Sequence, residues 1–150
     1  MSKKPQTLHL IKLCVGAASV ADLAEWQARH RASKTADGRA CVTHTTFQAP
    51  KRQAELLAGG SLYWVMKGTI LVRQPLLGFG DGVKEDGSPC CVLQLDPTLI
   101  AVRPTPRRAF QGWRYLTADD APSDLKGASA GAVAAMPIDM RRKLAELGLI

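Results

Sequence analysis

No apolar run in the chain approaches the roughly 20 residues of a membrane-spanning helix. The longest candidate, Leu8 to Val15, is broken by His9 and Lys12, so no membrane partner is expected. The basic start Met1-Ser2-Lys3-Lys4-Pro5 is followed by too short an apolar stretch for a secretory signal, with no small-residue cleavage site. A cytoplasmic protein is predicted. Also missing are a Gly-x-Ser-x-Gly elbow, a phosphate loop, a dinucleotide fingerprint and a His-Glu-x-x-His pair, the commonest signatures of hydrolase, nucleotide and zinc chemistry. The four cysteines, Cys14, Cys41, Cys90 and Cys91, lack the paired two-residue spacing of a zinc site and read as reduced thiols. Neither a metal nor a cofactor is predicted.

What is present is a globular chain of 150 residues, 46% hydrophobic and 22% charged, which suits a single core and argues against disorder. Its formal charge is +7, and the surplus is unevenly placed. From Met1 to Tyr115 there are sixteen Lys or Arg against eight Asp or Glu, whereas Leu116 to Ile150 carries four against five. A basic surplus confined to the first three-quarters favours anionic partners, nucleic acid first.

Leu8 to Val15 predicts a central strand ending at Gly16. Ser19, with Asp22 three residues on and Val20, Leu23 and Trp26 at spacings of three, predicts a capped amphipathic helix. Ser33 to Arg39 predicts a loop, Ala40 to Phe47 a strand, and Pro50 to Ala58, closed by Gly59-Gly60, a two-turn helix. Ser61 to Gln74 is the most strand-like stretch, with Gly68 marking a bulge, a bend or a tight connection. If residues 62–67 are extended, Tyr63 and Lys67 fall on the exposed face and Trp64 on the buried one. Gly78 to Pro89, with four glycines and three acids, predicts a mobile loop. Cys90 to Leu95 and Leu99 to Val102 predict strands, and Pro104-Thr105-Pro106 stiffens an extended approach to Arg107–Leu116. The reading is an α+β domain over residues 1–125, with a mixed, mostly antiparallel sheet and two or three helices. A flexible Ala/Gly-rich linker follows at 126–136 and a C-terminal helix at 137–150.

Leu8-His9-Leu10-Ile11-Lys12-Leu13-Cys14-Val15-Gly16, Gly60-Ser61-Leu62-Tyr63-Trp64-Val65-Met66-Lys67-Gly68, the pair Arg73-Gln74, and Pro106-Arg107-Arg108-Ala109-Phe110-Gln111-Gly112-Trp113-Arg114-Tyr115-Leu116 together resemble the bacterial domain-of-unknown-function family numbered 1489. The resemblance spans roughly positions 8 to 125, leaves the tail outside, and implies no activity. More distantly, the order of elements resembles PUA-like barrels, among them RNA-binding, ASCH and EVE domains. That analogy implies closure of the sheet into a barrel and an RNA or nucleotide partner.

Two constellations could carry chemistry. His44 and Thr45 with Lys51 and Arg52 lie at a predicted strand-to-helix junction, where free N–H groups and a positive dipole end would suit a phosphate. The plainer reading is a strand-end histidine beside a solvated helix face. Arg107, Arg108, Gln111, Trp113 and Arg114 interleave guanidiniums, an amide and an indole, which suits phosphates and stacked bases. Against it stands burial of the aromatics and pairing of the arginines. On an extended strand Arg108 and Arg114 would share a face, with Trp113 turned to the other. Lys67 and Arg73 complete the expected nucleic-acid-binding set. The sequence leaves two other classes open: a small phosphoester hydrolase or nucleotide-modifying enzyme built on His44, Thr45, Lys51 and Arg73, and a protein-interaction adaptor presenting exposed aromatics.

Overall fold

The computed structural model describes residues 7–14, 19–29, 33–35, 37–108 and 110–125. The linker and the C-terminal helix expected at 126–150 lie outside these residues. In chain order the elements are β1 (Leu8–Leu13), α1 (Val20–Arg29), β2 (Ser33–Lys34), β3 (Ala40–Thr46), α2 (Gln53–Leu57), β4 (Ser61–Met66), β5 (Thr69–Val83), β6 (Pro89–Leu95), β7 (Ile100–Pro106) and β8 (Trp113–Thr117). None of the described helices is long and apolar enough to cross a membrane. The architecture is α+β and dominated by one mixed sheet of order β2-β3-β6-β5-β4-β1-β8, with β7 beside β5. Among the described residues only the β1–β4 pair is parallel; the other strand pairs are antiparallel.

Strand β4 is buried along its whole length because its two faces serve two cores. Leu62, Trp64 and Met66 join Leu8, Leu10, Leu71, Leu93 and Leu95 in the larger. Tyr63 and Val65 join Ile11, Ile70, Val102 and Leu116 in the smaller. Tyr63, expected on an exposed face, is therefore only 4% accessible, since a strand covered on both sides has no solvent face for alternation to reveal. Between β4 and β5 the Lys67-Gly68 pair has positive φ at both residues, 46° and 77°. It is a two-residue hairpin turn of the kind that matches strand twist, so Gly68 marks a tight connection.

Strand β5 is longer than expected because the predicted loop from Gly78 onward is strand as far as Val83, paired with β6. Gly78, Gly80 and Gly82 fall at alternate positions and so share one face. Over that face lie Gln94, Val92 and Cys90 of β6; a Cβ at Gly78 would collide with the Gln94 amide. The turn is confined to Lys84–Ser88, where Gly87 N–H donates to Lys84 O at 2.9 Å. Pro75 sits where β5 changes partner from β7 to β6 and contributes a carbonyl to Asp96 N–H at 2.9 Å. Its missing N–H costs no ladder bond there.

The sheet is not closed. Strands β2 and β8 stand at its two ends, so the barrel implied by the PUA-like analogy is not formed. Side chains bridge the β8 edge instead of a ladder: Trp113 Nε1–H donates to Gln48 O at 2.8 Å, and the N–H groups of Lys51 and Arg52 donate to the Tyr115 hydroxyl at 3.1 and 3.2 Å.

Helix α1 begins as its sequence predicts, with Asp22 N–H donating to Ser19 Oγ at 3.1 Å. Val20 and Leu23 are buried, but Trp26 is 45% exposed and Gln27 takes the inward position. The reason is Gln74, fully buried opposite it on β5. Gln74 Oε1 accepts from Trp64 Nε1 and Gln27 Nε2, both at 2.8 Å, while its Nε2 donates to Gln27 Oε1 and Asp96 O, both at 3.0 Å. Replacing Gln74 by leucine keeps the volume but strands the indole N–H, the Gln27 amide and a carbonyl. We expect Gln74→Leu to lose on the order of 3 kcal/mol in urea unfolding, with part regained in Gln74→Leu/Gln27→Leu.

Candidate functional site

The C-terminal ends of β1 and β4, the β4–β5 turn, the end of β7 and the start of β8 meet at one end of the sheet. Register fixes this, since Lys12 is level with both Trp64 and Trp113, and Thr69 with both Met66 and Pro106. Arg107 N–H donates to Gly68 O at 2.8 Å and ties the β7–β8 connection to the hairpin turn. Segments 10–14, 65–70 and 104–115 contain Lys12, Lys67, Arg107, Arg108 and Arg114, and neither Asp nor Glu. All but the half-buried Lys12 are exposed, as is Gln111. Burial lowers the Lys12 pKa, with Cys14 opposing the shift. Burial in turn pushes the Cys14 thiol up to about 11.

Of the residues singled out in the sequence, Lys67, Arg107, Arg108, Gln111 and Arg114 are thus brought to one end. The expectation that Arg108 and Arg114 share a strand face is corrected. Strand β8 starts only at Trp113, after Gly112 at φ 69°, and Arg108 stands in the connection before it. The second half of that expectation holds: Trp113 packs against the larger core and at 4.9 Å on Tyr115, whereas Arg114 faces the other way, its guanidinium 5.7 Å from the Phe110 ring.

Lys51, Arg52 and Trp113 form a separate group at the β8 edge. Arg52 pairs with Glu55 and lies 5.6 Å from the Tyr115 ring centroid. The Trp113 and Tyr115 polar atoms are engaged with residues 48–52, so here the aromatics act as struts. Helix α2 is five residues long with no side-chain cap.

His44 lies inside β3, level with Leu93, and its ring meets Trp64 edge-on at 5.0 Å. Thr45, the next residue along, is exposed on the opposite face. Burial, with the Lys12 charge adding to it, pushes the His44 pKa down to about 4. Its Nε2 is buried with no hydrogen-bond partner among the described residues.

Arg73 is remote from that histidine in the alternation, because it is level with Tyr63 on the face opposite Trp64. There it joins a cleft of about 360 Å³ whose lining includes Thr7, His9, Tyr63, Ser123 and Asp124. Arg73 Nε and Nη2 donate to Asp124 Oδ1 and Oδ2, each at 2.8 Å, and Nη1 donates to Ser61 Oγ at 2.8 Å. His9 Nδ1 accepts from Ser61 N–H at 3.0 Å, and the ring stands edge-on to Tyr63 at 5.1 Å. Of this cleft the sequence points to Arg73 as a site residue and to Tyr63 as an exposed strand residue, and not to His9, Ser123 or Asp124. The one available signal was parity, which puts His9 and Ile11 on the face opposite Leu8 and Leu10.

The profile of the family described as "Protein of unknown function (DUF1489)" matches residues 10–150. The tail, expected outside the family, is inside the match. No curated protein and no solved structure matches the chain.

The His44 shift fixes an acid dependence. The folded pKa lies below the ordinary value of 6.5, so the neutral ring contributes stability above about pH 6.5 that is lost as pH falls towards 4. We expect about 3 kcal/mol of acid sensitivity across that window, from 1.36 kcal/mol per unit. His44→Leu should flatten the curve of unfolding free energy against pH; parallel curves for the two proteins would contradict this.

Proposed function

We propose, for a chain that belongs to the DUF1489 family of proteins of unknown function, that it binds single-stranded nucleic acid, RNA in the first instance, through Lys67, Arg107, Arg108 and Arg114. The observation that carries this reading is the cationic end: five cations in converging segments without one carboxylate among them. Solvated basic faces usually interleave acids, which lowers their self-repulsion. A single-sign cluster instead attracts a polyanion and releases its counterions on contact.

Loop-borne guanidiniums suit bidentate phosphate contacts. Phe110, half-buried beneath Arg114, and exposed Gln111 supply an aromatic ring and an amide beside them, which favours an unpaired strand with accessible bases over a regular duplex. His44 and Arg73 play no part in this interface.

The test is fluorescence anisotropy with a mixed-sequence single-stranded RNA between 50 and 200 mM salt. Three to four phosphate contacts give a slope of log K against log salt of about −2 to −3. In Lys67→Asn/Arg107→Ala/Arg108→Ala the slope should flatten by about 2 with little change in Tm. Asparagine is chosen at 67 because it tolerates the positive φ there. No binding at 50 mM salt, or equal binding by the triple variant, would refute the proposal.

A further inference from the structure

The cleft on the far side of β4 is separate from the cationic end and has its own chemistry. His9, Tyr63 and Arg73 line one concavity. Each presents a donor. His9 accepts at Nδ1 from Ser61 N–H, which makes Nε2 the protonated nitrogen of the neutral ring. Burial, with Arg73 adding to it, lowers the His9 pKa and keeps that ring neutral. Burial also raises the Tyr63 pKa and preserves its O–H. Neither His9 Nε2 nor the Tyr63 hydroxyl takes a hydrogen-bond partner among the described residues. Arg73 engages three of its five N–H groups.

Arg73 meets two acceptors, Ser61 Oγ and the carboxylate of Asp124, which lies side-on to the guanidinium with both oxygens at 2.8 Å. That is the geometry in which arginine receives a carboxylate or a phosphate from a ligand. The backbone around Asp124 is fastened independently of its side chain, by the Val102–Asp124 bridge, Arg103 N–H to Ser123 O at 2.8 Å and Leu125 N–H to Ala101 O at 3.0 Å. The Asp124 side chain is 39% accessible, so a path to water is open to its carboxylate that leaves those backbone bonds intact.

We propose that this cleft binds a small ligand through a terminal oxyanion, a carboxylate or a phosphate monoester, and that Asp124 occupies the oxyanion position until the ligand displaces it. The ligand's anionic group takes the guanidinium edge now held by Asp124. His9 Nε2–H and Tyr63 O–H donate to the same group or to its neighbouring polar atoms. A cleft of about 360 Å³ is at the small end of ligand-site sizes and suits a metabolite-sized molecule.

The proposal is tested by titrating the full chain with inorganic phosphate and, separately, with acetate, following the His9 ring signals by NMR. Asp124→Asn removes the competing charge at constant shape and should bind at least one of the two anions tenfold or more tightly than the parent. Tighter phosphate alone identifies a phosphate monoester as the ligand class, and tighter acetate alone a carboxylate. Adding Arg73→Lys should abolish the gain. The triple variant at positions 67, 107 and 108 should keep it, which separates this cleft from the nucleic-acid surface. If Asp124→Asn loses its cooperative melting transition, Asp124→Ser is read in its place. Equal affinities in parent and variant, no binding of either anion, or shifts that spare His9 would overturn the proposal.

Discussion

The Gln74 carboxamide holds three parts of the chain to one geometry. A buried amide carries two donors and two acceptor lone pairs, and each must find a partner or cost the fold free energy. Here all four are met by the Trp64 indole, both ends of the Gln27 amide and Asp96 O. Satisfying them sets the rotation of α1, fixes Trp64 in the larger core, and pins the chain where it passes from β6 to β7. Trp26 is exposed for the same reason: with Gln27 directed inward, the neighbouring helical position faces out.

That constraint sorts the polar residues between two faces. In β4 and β5, Trp64 and Gln74 belong to one face and Tyr63 and Arg73 to the other. His44 joins the first by packing on Trp64, and His9 the second by packing on Tyr63. The two histidines therefore have different chemistry. His9 has its Nδ1 occupied and its ring lining a cleft; His44 has a buried nitrogen without a hydrogen-bond partner among the described residues and serves as packing at neutral pH. An enzyme built on His44 with Arg73 would need side chains from opposite sides of one sheet.

Local signals were legible in the sequence wherever the chemistry was local. The Ser19 cap, the Gly68 connection and the strand at Ala40 each depend on a few adjacent residues, and each forms. What misled was partner-dependent. Four glycines and three acids between 78 and 89 look like a loop until the i, i+2, i+4 spacing of Gly78, Gly80 and Gly82 meets the side chains of β6, whose Gln94 and Val92 need the room. Tyr63 reads as exposed because alternation presumes one wet face, and only the tertiary fold shows β4 covered on both. Of the candidate residues, the turn and loop cations at 67, 107 and 108 and the strand cation at 114 could be found from charge alone. The His9–Tyr63–Arg73 cleft could not, because its members are 64 positions apart along the chain and share only strand parity.

The cationic end sets electrostatics against architecture. Five like charges repel one another, and exposed pairs at this range cost tenths of a kilocalorie each, screened by salt. What holds them is not electrostatic: the hairpin turn fixes Lys67, the Arg107 N–H to Gly68 O bond fixes the connection, and Pro104 and Pro106 limit the backbone leading to it. Neutral substitution of Arg107 and Arg108 would therefore relieve repulsion while leaving the backbone bond from Arg107 N–H to Gly68 O in place. The Arg73–Asp124 pair differs, because that charge is balanced within the chain and bonded to Ser61 as well. A cluster of cations whose own segments hold no carboxylate suits a polyanion, whereas a balanced pair in a cleft suits one small anion exchanging for another.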